Sequence, residues 1–443
     1  MVIDRLQEEI VRLKNRLRHQ ERTAREGPFG SSTPSAKIPI KANTPLESSR
    51  RQGGAQPGHR GHGRRRIPEE EVTRQHSVPG PERCPHCGGP LDPKGSKART
   101  IIEVDPVRKE VVRYELEQCD CRHCHRTFTA RPTGVFAKGL FGNRLLTHLA
   151  VEHYLHGITL GRLSTCLGIT QGSLWAALHQ LARRLASVPD RLLLEYRRAP
   201  VKHADETGWR TDGHNGYAWL FCTERVSLFR FRQSRSASVA REVFGAKRLP
   251  GVLIVDRYNG YNQTPCAIQY CYAHLLREVR DLAKEFPEEG EVSRFVTRFA
   301  PLLAEAMHLR ARQLTASRFS LQALELKVEI KSLVHSPAQH PGIQKIQNIF
   351  REQENRLYHW AKNPAIPADN NRAERELRPL VIARKISFGS QSEQGAQTRE
   401  TLMTVLHTLR KRTADVFGTF KHALDKLAEI ETRDPFKLLF NSS

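Results

Sequence analysis

Apolar residues recur near the start of the chain at Ile3, Leu6, Ile10, Leu13 and Leu17, with gaps that alternate between three and four. This is the a/d rhythm of a coiled-coil seam, so residues 1–26 are predicted to form a helix that pairs with a second copy. The run is short, and a helix packed on its own chain would show the same pattern. The rhythm stops at residue 27. The stretch EGPFGSSTPSAKIPIKANTP has no period and is read as a flexible linker within 27–75. Residues 76–131 form a small cysteine-bearing unit in which TIIEV and VVRYEL are β-like runs. A helical pattern then fills 132–198. Within it, LGRLSTCLGITQGSLWAALHQLARRL has the helix, glycine turn and second helix of a helix-turn-helix, with Ser173 as the expected cap.

The period changes again near residue 200. VKHADETGW, GYAWLFCT and VSLFRFRQ are strand-like, a helix follows at Ser236–Phe244, and GVLIVD reads as a buried central strand. IQYCY then runs into a helix. Three strands, a helix, a strand and a further helix is the order of an RNase H-like α/β domain, placed here at 199–284. In such a sheet the first and fourth strands lie side by side. Residues 285–365 carry a charged helical pattern with no strand signal, which predicts a helical insertion. Residues 366–431 return as helices that complete the core, and 432–443 form a tail.

Composition adds a partner. Lys and Arg total 71 against 47 Asp and Glu, a formal charge of +24. Such an excess suits a polyanion, because each neutralised phosphate releases condensed counterions. No stretch approaches the roughly 20 apolar residues that span a bilayer, and the charged N-terminus has no secretory core. Nucleic acid in the cytoplasm is therefore the expectation, and no membrane. Residues 50–66 hold six arginines and two histidines. Arg60, Arg64, Arg65 and Arg66 on this glycine-rich arm are candidate DNA contacts, since such an arm can follow a phosphate backbone or enter a groove.

Five of the nine cysteines fall between Cys84 and Cys124. Cys84 and Cys87 form one CxxC pair, and Cys121 and Cys124 form another after 33 intervening residues. Two such knuckles let four thiolates reach one tetrahedral Zn²⁺, which makes a closed structural site. Cys119 offers an alternative pairing with Cys124, and His86, His123 and His125 are possible substitute ligands. Cys271 and His274 in CYAH make only two ligands, so a structural or DNA-side role is expected for His274.

Three carboxylates stand out by position. Asp205 lies in the first strand, Asp256 ends the apolar strand, and Glu374 sits on a helix with Arg375, Arg378, Arg384 and Lys385. Phosphoryl transfer by two hard divalent ions, Mg²⁺ or Mn²⁺, needs convergent oxygen ligands of this kind. The basic residues of that helix are candidates for holding DNA phosphates. Glu206 and Glu376 compete for the same roles. Glu206 is expected on the opposite face of its strand from Asp205, and Glu376 about 200° round its helix from Glu374.

The chain resembles the transposases of the insertion sequence 66 family over nearly its whole length. The resemblance is carried by GGAQPGHRGH, CPHCGG…CRHC, HADETGWR, GVLIVDRYNGY with CYAHLLRE, and DNNRAERELRPLVIARKISFGSQSEQGA. It implies a DDE transposase with an RNase H-like core, in which Asp205, Asp256 and Glu374 bind two Mg²⁺ ions. It also implies hydrolysis at terminal inverted repeats, followed by attack of the freed 3′ hydroxyl on target DNA, by a homodimer or higher multimer and with accessory proteins of the same element. Arg257 departs from the glycine common after the second aspartate. A zinc-dependent DNA-binding regulator without catalysis and a structure-selective nuclease are the alternatives. Elemental analysis of clean protein should find one zinc per chain, and a lower content would overturn the four-cysteine site.

Overall fold

The computed structural model describes residues 109–120, 127–129, 132–137 and 139–440, with short stretches at 9–10, 13–14, 17 and 68–72. Cys84, Cys87, Cys121 and Cys124, with Arg60, Arg64, Arg65 and Arg66, lie outside the described residues. Of the N-terminal seam, Ile10, Leu13 and Leu17 are described, and all three are helical and exposed. Residues 111–116, the run VVRYEL, form no strand and are exposed. They have no ladder partner among the described residues, and alternation alone does not hold a strand. Pairing occurs just beyond them instead, where β1 (Gln118–Asp120) and β2 (Thr127–Thr129) form a short antiparallel pair.

Helices α1 (Asn143–Tyr154), α2 (Leu160–Leu167), α3 (Gln171–Arg184) and α4 (Val188–Arg198) follow. The predicted turn is present, with Gly168 left-handed at φ 58° after α2. The cap of α3 is Thr170, whose hydroxyl accepts from the Ser173 amide. Ser173 sits inside the first turn, where its own N–H is one of the groups that needs a partner.

Next comes a meander of β3 (Val201–Thr211), β4 (His214–Cys222) and β5 (Ser227–Arg232). Asp212 and Gly213 join the first two strands with positive φ at both positions, the geometry of a tight hairpin. The chain crosses through α5 (Ala237–Phe244) to β6 (Val252–Val255) and β7 (Ala267–Tyr270). The sheet order is β5-β4-β3-β6-β7, with β6 parallel to β3 and β7 parallel to β6. All four residues of β6 are buried, as a strand covered on both faces requires.

The segment predicted as an insertion is helical wherever it has regular structure. It follows α6 (Tyr272–Glu285) and contains α7 (Gly290–His308), α8 (Ala316–His335), α9 (Pro341–Glu352) and α10 (His359–Lys362). Its far end is tied back to the sheet by buried Gln269 of β7, which donates to Leu357 O at 3.3 Å and accepts from His359 N at 2.9 Å. The chain closes with α11 (Asn371–Ser387), α12 (Glu393–Arg410), α13 (Val416–Glu429) and α14 (Pro435–Phe440). Helix α11 lies over β3 and β4, and α12 lies over β5.

One buried side chain joins these layers. Asn370, at the head of α11, donates from Nδ2 to Ala204 O at 2.9 Å and accepts from the His203 ring at 2.9 Å. Its amide N–H meets Cys271 Sγ at 3.1 Å, at the start of α6. Burial holds His203 neutral, with its pKa lowered to about 3. Asn370→Ala would strand two buried polar groups, at about 2–4 kcal/mol in total. Urea unfolding should register that loss, and an unchanged midpoint would contradict the latch.

Candidate active site

The aspartates are brought together by strand register. Val201, Lys202 and His203 pair with Val252, Leu253 and Ile254. Carried two residues further, the same register sets Asp205 opposite Asp256, on strands about 4.8 Å apart. Asp256 follows the last residue of β6 directly. Each carboxylate is aimed by a local bond, since Asp205 Oδ1 accepts from Glu206 N at 2.9 Å and Asp256 Oδ1 accepts from Tyr258 N at 2.9 Å.

Helix α11 supplies the third carboxylate. His203 and Thr207 of β3 bond to residues at the two ends of α11, so alternation along the strand turns Asp205 to that same face. Glu374 lies in the first turn of α11, and its N–H donates to Asn370 O at 3.2 Å. Burial, with the charges of Glu206, Asp256 and Glu374, pushes the Asp205 carboxyl well above the usual range. Asp205 is therefore within electrostatic reach of both other members of the expected set.

The two competing glutamates are held elsewhere. Glu206 Oε1 accepts from Arg235 Nη2 at 2.7 Å, and its Oε2 accepts from the Tyr261 hydroxyl at 2.6 Å. Burial and the nearby Asp256 charge still raise its pKa to about 7, against the pull of Arg235. Glu376 pairs with Lys411 at 2.7 Å and accepts from Ser227 Oγ at 2.7 Å, on the flank of α11 that faces α12.

The sequence offered only two ligands at Cys271 and His274, and the fold adds a third. Cys271 Sγ, a ring nitrogen of His274 and a Glu374 oxygen all lie within 4.8 Å of one another. Glu374 Oε1 stands 3.9 Å from His274 Nδ1, and both atoms are buried without a hydrogen-bond partner. Burial pushes the Cys271 thiol up to about 12, so it is protonated at neutral pH and accepts from the Asn370 amide. The available donors are thus carboxylate oxygens and one imidazole. Crowded carboxylates and an orphaned buried oxygen fit a hard divalent cation.

The expected basic grip divides. Arg375, Arg378 and Lys385 are exposed. Arg384 is half-buried and donates from Nη1 to Thr207 Oγ1 at 3.0 Å and Gly208 O at 2.6 Å. It fastens α11 to β3 and is engaged within the fold. Arg257, which follows Asp256, pairs with Glu278 of α6. The Glu206–Arg235–Tyr261 cluster and the His274–Glu374 approach were missed in the sequence, where the members are far apart. Only the CxxH spacing at the start of α6 hinted at the second.

The family model described as Transposase IS66 family matches residues 138–398, and the chain belongs to that family. Among curated proteins, the uncharacterized protein y4qI of Sinorhizobium fredii is 25% identical over 67% of this chain. The chain spans 62% of the length of that relative. The uncharacterized protein y4jD of the same organism is 23% identical over 89% of this chain and 84% of its own length. No helix among the described residues is long and apolar enough to cross a membrane.

Glu374→Gln should leave stability unchanged or raise it in chelator, because it removes one of several crowded charges. Glu376→Gln should lose roughly 1–2 kcal/mol, because Lys411 keeps its bonds to the Thr223 and Val226 carbonyls but loses its buried counter-charge. Equal losses in denaturant unfolding would contradict this division of labour.

Proposed function

We propose that this chain cuts DNA at the terminal inverted repeats of an insertion sequence and joins the freed 3′ hydroxyl to target DNA. The observation that carries the reading is the matched placement of Asp205 on β3 and Asp256 directly after the parallel neighbour β6, with Glu374 delivered from α11. A three-stranded meander followed by a crossover to a parallel fourth strand supports an RNase H-like core over 199–284, completed by 366–431 around the insertion at 285–365.

Two Mg²⁺ or Mn²⁺ ions, when bound, supply a nucleophile at neutral pH and steady the leaving oxygen. Asp205, Asp256 and Glu374 are the residues that would hold them. His274 stands beside Glu374, 3.9 Å away, where it would neighbour the ligand set. Arg235 and Tyr261 keep Glu206 bonded on its own side, which leaves the reacting face to the three carboxylates. Exposed Arg375, Arg378 and Lys385 on the same helix as Glu374 would hold phosphates beside the reacting bond. The four-cysteine zinc unit at 76–131, the basic arm at Arg60 and Arg64 to Arg66, and the helices of 132–198 would bind the element's ends. Residues 1–26 would pair copies into a dimer or higher multimer, in the cytoplasm and on the nucleoid. Accessory proteins of the element would act with it.

The test is cleavage and joining of DNA carrying the element's own ends, with Mg²⁺ or Mn²⁺ added. Asp205→Asn, Asp256→Asn and Glu374→Gln should each lower cleavage by roughly a thousandfold or more, the equivalent of several kcal/mol of charge stabilisation. DNA binding and zinc content should be unchanged. Full cleavage in any of the three would overturn the assignment. Cleaved but never joined products would favour the structure-selective nuclease, and binding without cleavage by the native chain would favour the regulator.

A further inference from the structure

Phe388 ends α11 in a conformation that suits glycine. Its φ is 60°, and its N–H closes the helix on Arg384 O. Position C′ of a helix is commonly glycine because a side chain there is strained in the left-handed region. Here it carries an aromatic ring that is 72% exposed. An aromatic residue in this conformation signals a constraint other than folding.

The ring is held out by its neighbours. Ser390 N donates to Arg210 O at 2.9 Å, and Asp212 N donates to Ser390 O at 2.9 Å. The Trp209 indole donates to Ser390 Oγ at 3.1 Å. Gly389 lies so close to β3 that a Cβ on it would sit 2.2 Å from Arg210 O. The backbone is fastened to the end of β3 on one side and to α11 on the other, which holds Phe388 at the surface.

The exposed surface of α11 is apolar and basic together. Ile382 and Ile386 on α11 are 55% and 45% exposed. Glu374, Arg375, Arg378 and Lys385 lie on one face within an arc of about 100° at 100° per residue, and the three basic residues are exposed. Glu374 lies at the start of that arc. The only acidic side chain from 375 to 388 is Glu376, and it is paired with Lys411. A second copy of this face would bring like charges together. A polyanion whose bases have exposed π faces matches both the charge and the ring.

We infer that Phe388 is a wedge that takes a DNA base out of its stack while Arg375, Arg378 and Lys385 hold the adjoining phosphates. This rests on the proposed action on DNA. Glu374 and Phe388 are 14 residues apart, which is about 21 Å of helix. At about 3.4 Å per nucleotide, a strand following α11 places the wedged base roughly six nucleotides from the bond that is cut. Apolar wedges of this kind kink the duplex where they enter.

Binding is measured by fluorescence anisotropy with the full chain and two synthetic probes. One is a fully paired duplex, and the other carries a base opposite an abasic site. Phe388→Ala should lose about tenfold in affinity for the unpaired-base probe and less than about twofold for the paired one, and Phe388→Trp should bind both like the native chain. Phe388→Gly should melt at a higher temperature than the native chain and still lose the unpaired-base preference, which separates a binding role from a structural one. Arg378→Gln should weaken both probes alike and flatten the salt dependence.

Native affinity of Phe388→Ala for both probes would overturn the wedge and leave the DNA reading standing. Failure of the native chain to bind either probe would overturn both. A change of oligomeric state in Phe388→Ala with unaltered DNA binding would give the face to a second copy and overturn the wedge.

Discussion

Carboxylates repel one another, and this chain holds several of them together in a partly buried space. Asp205 loses water on burial and also feels Glu206, Asp256 and Glu374, and its carboxyl is driven far up as a result. Such a cluster does not persist unless its backbone supports are stiffer than the repulsion. The supports are the parallel register of β3 with β6, which leaves each aspartate little lateral freedom, and the Asn370 amide, which ties the head of α11 to β3 and to α6. The meander, the crossover and the helices over the sheet serve to keep those two features in place. Divalent cations relieve the same repulsion, so the strain of the cluster and its chemistry have one origin.

Helix α11 is fastened along its whole length. Asn370 fixes its start, Glu376 with Lys411 fixes one flank, and Arg384 fixes its last turn to Thr207 and Gly208. What remains free is the face that begins at Glu374 and runs through Arg375, Arg378 and Lys385 to Phe388. A helix so fixed can present charge and an aromatic ring at set distances from the carboxylates. The family relationship over residues 138–398 covers this unit in full.

Much of this was legible in the sequence, for a physical reason. Strands that are buried on both faces are apolar throughout, and GVLIVD announces itself. The hairpins are marked by Asp212-Gly213 and by clusters of polar residues. The helical character of residues 290–362 follows from period and charge. VVRYEL misled because alternation does not say whether a partner strand exists. Ser173 misled because two hydroxyls flank the start of α3, and only the backbone shows which one lies outside the helix. Glu374 and Glu376 have equal chemistry, and they were separated by Lys411 and Ser227, which lie far away in sequence. Arg384 looked like a phosphate contact for the same reason, because its partners on β3 come from a distant strand. The approach of His274 to Glu374 and the projection of Phe388 depend on tertiary placement and on one left-handed residue, neither of which has a local signature.

The central claim is that Asp205, Asp256 and Glu374 share a divalent ion site. Loading the full chain with Fe²⁺ in place of Mg²⁺ and adding ascorbate and peroxide cuts a polypeptide next to the residues that hold the iron. Cuts should cluster beside Asp205, Asp256 and Glu374, disappear with excess Mg²⁺, and be absent beside Glu376. Cleavage that leaves those three positions intact, or that falls beside Glu376, would contradict the account.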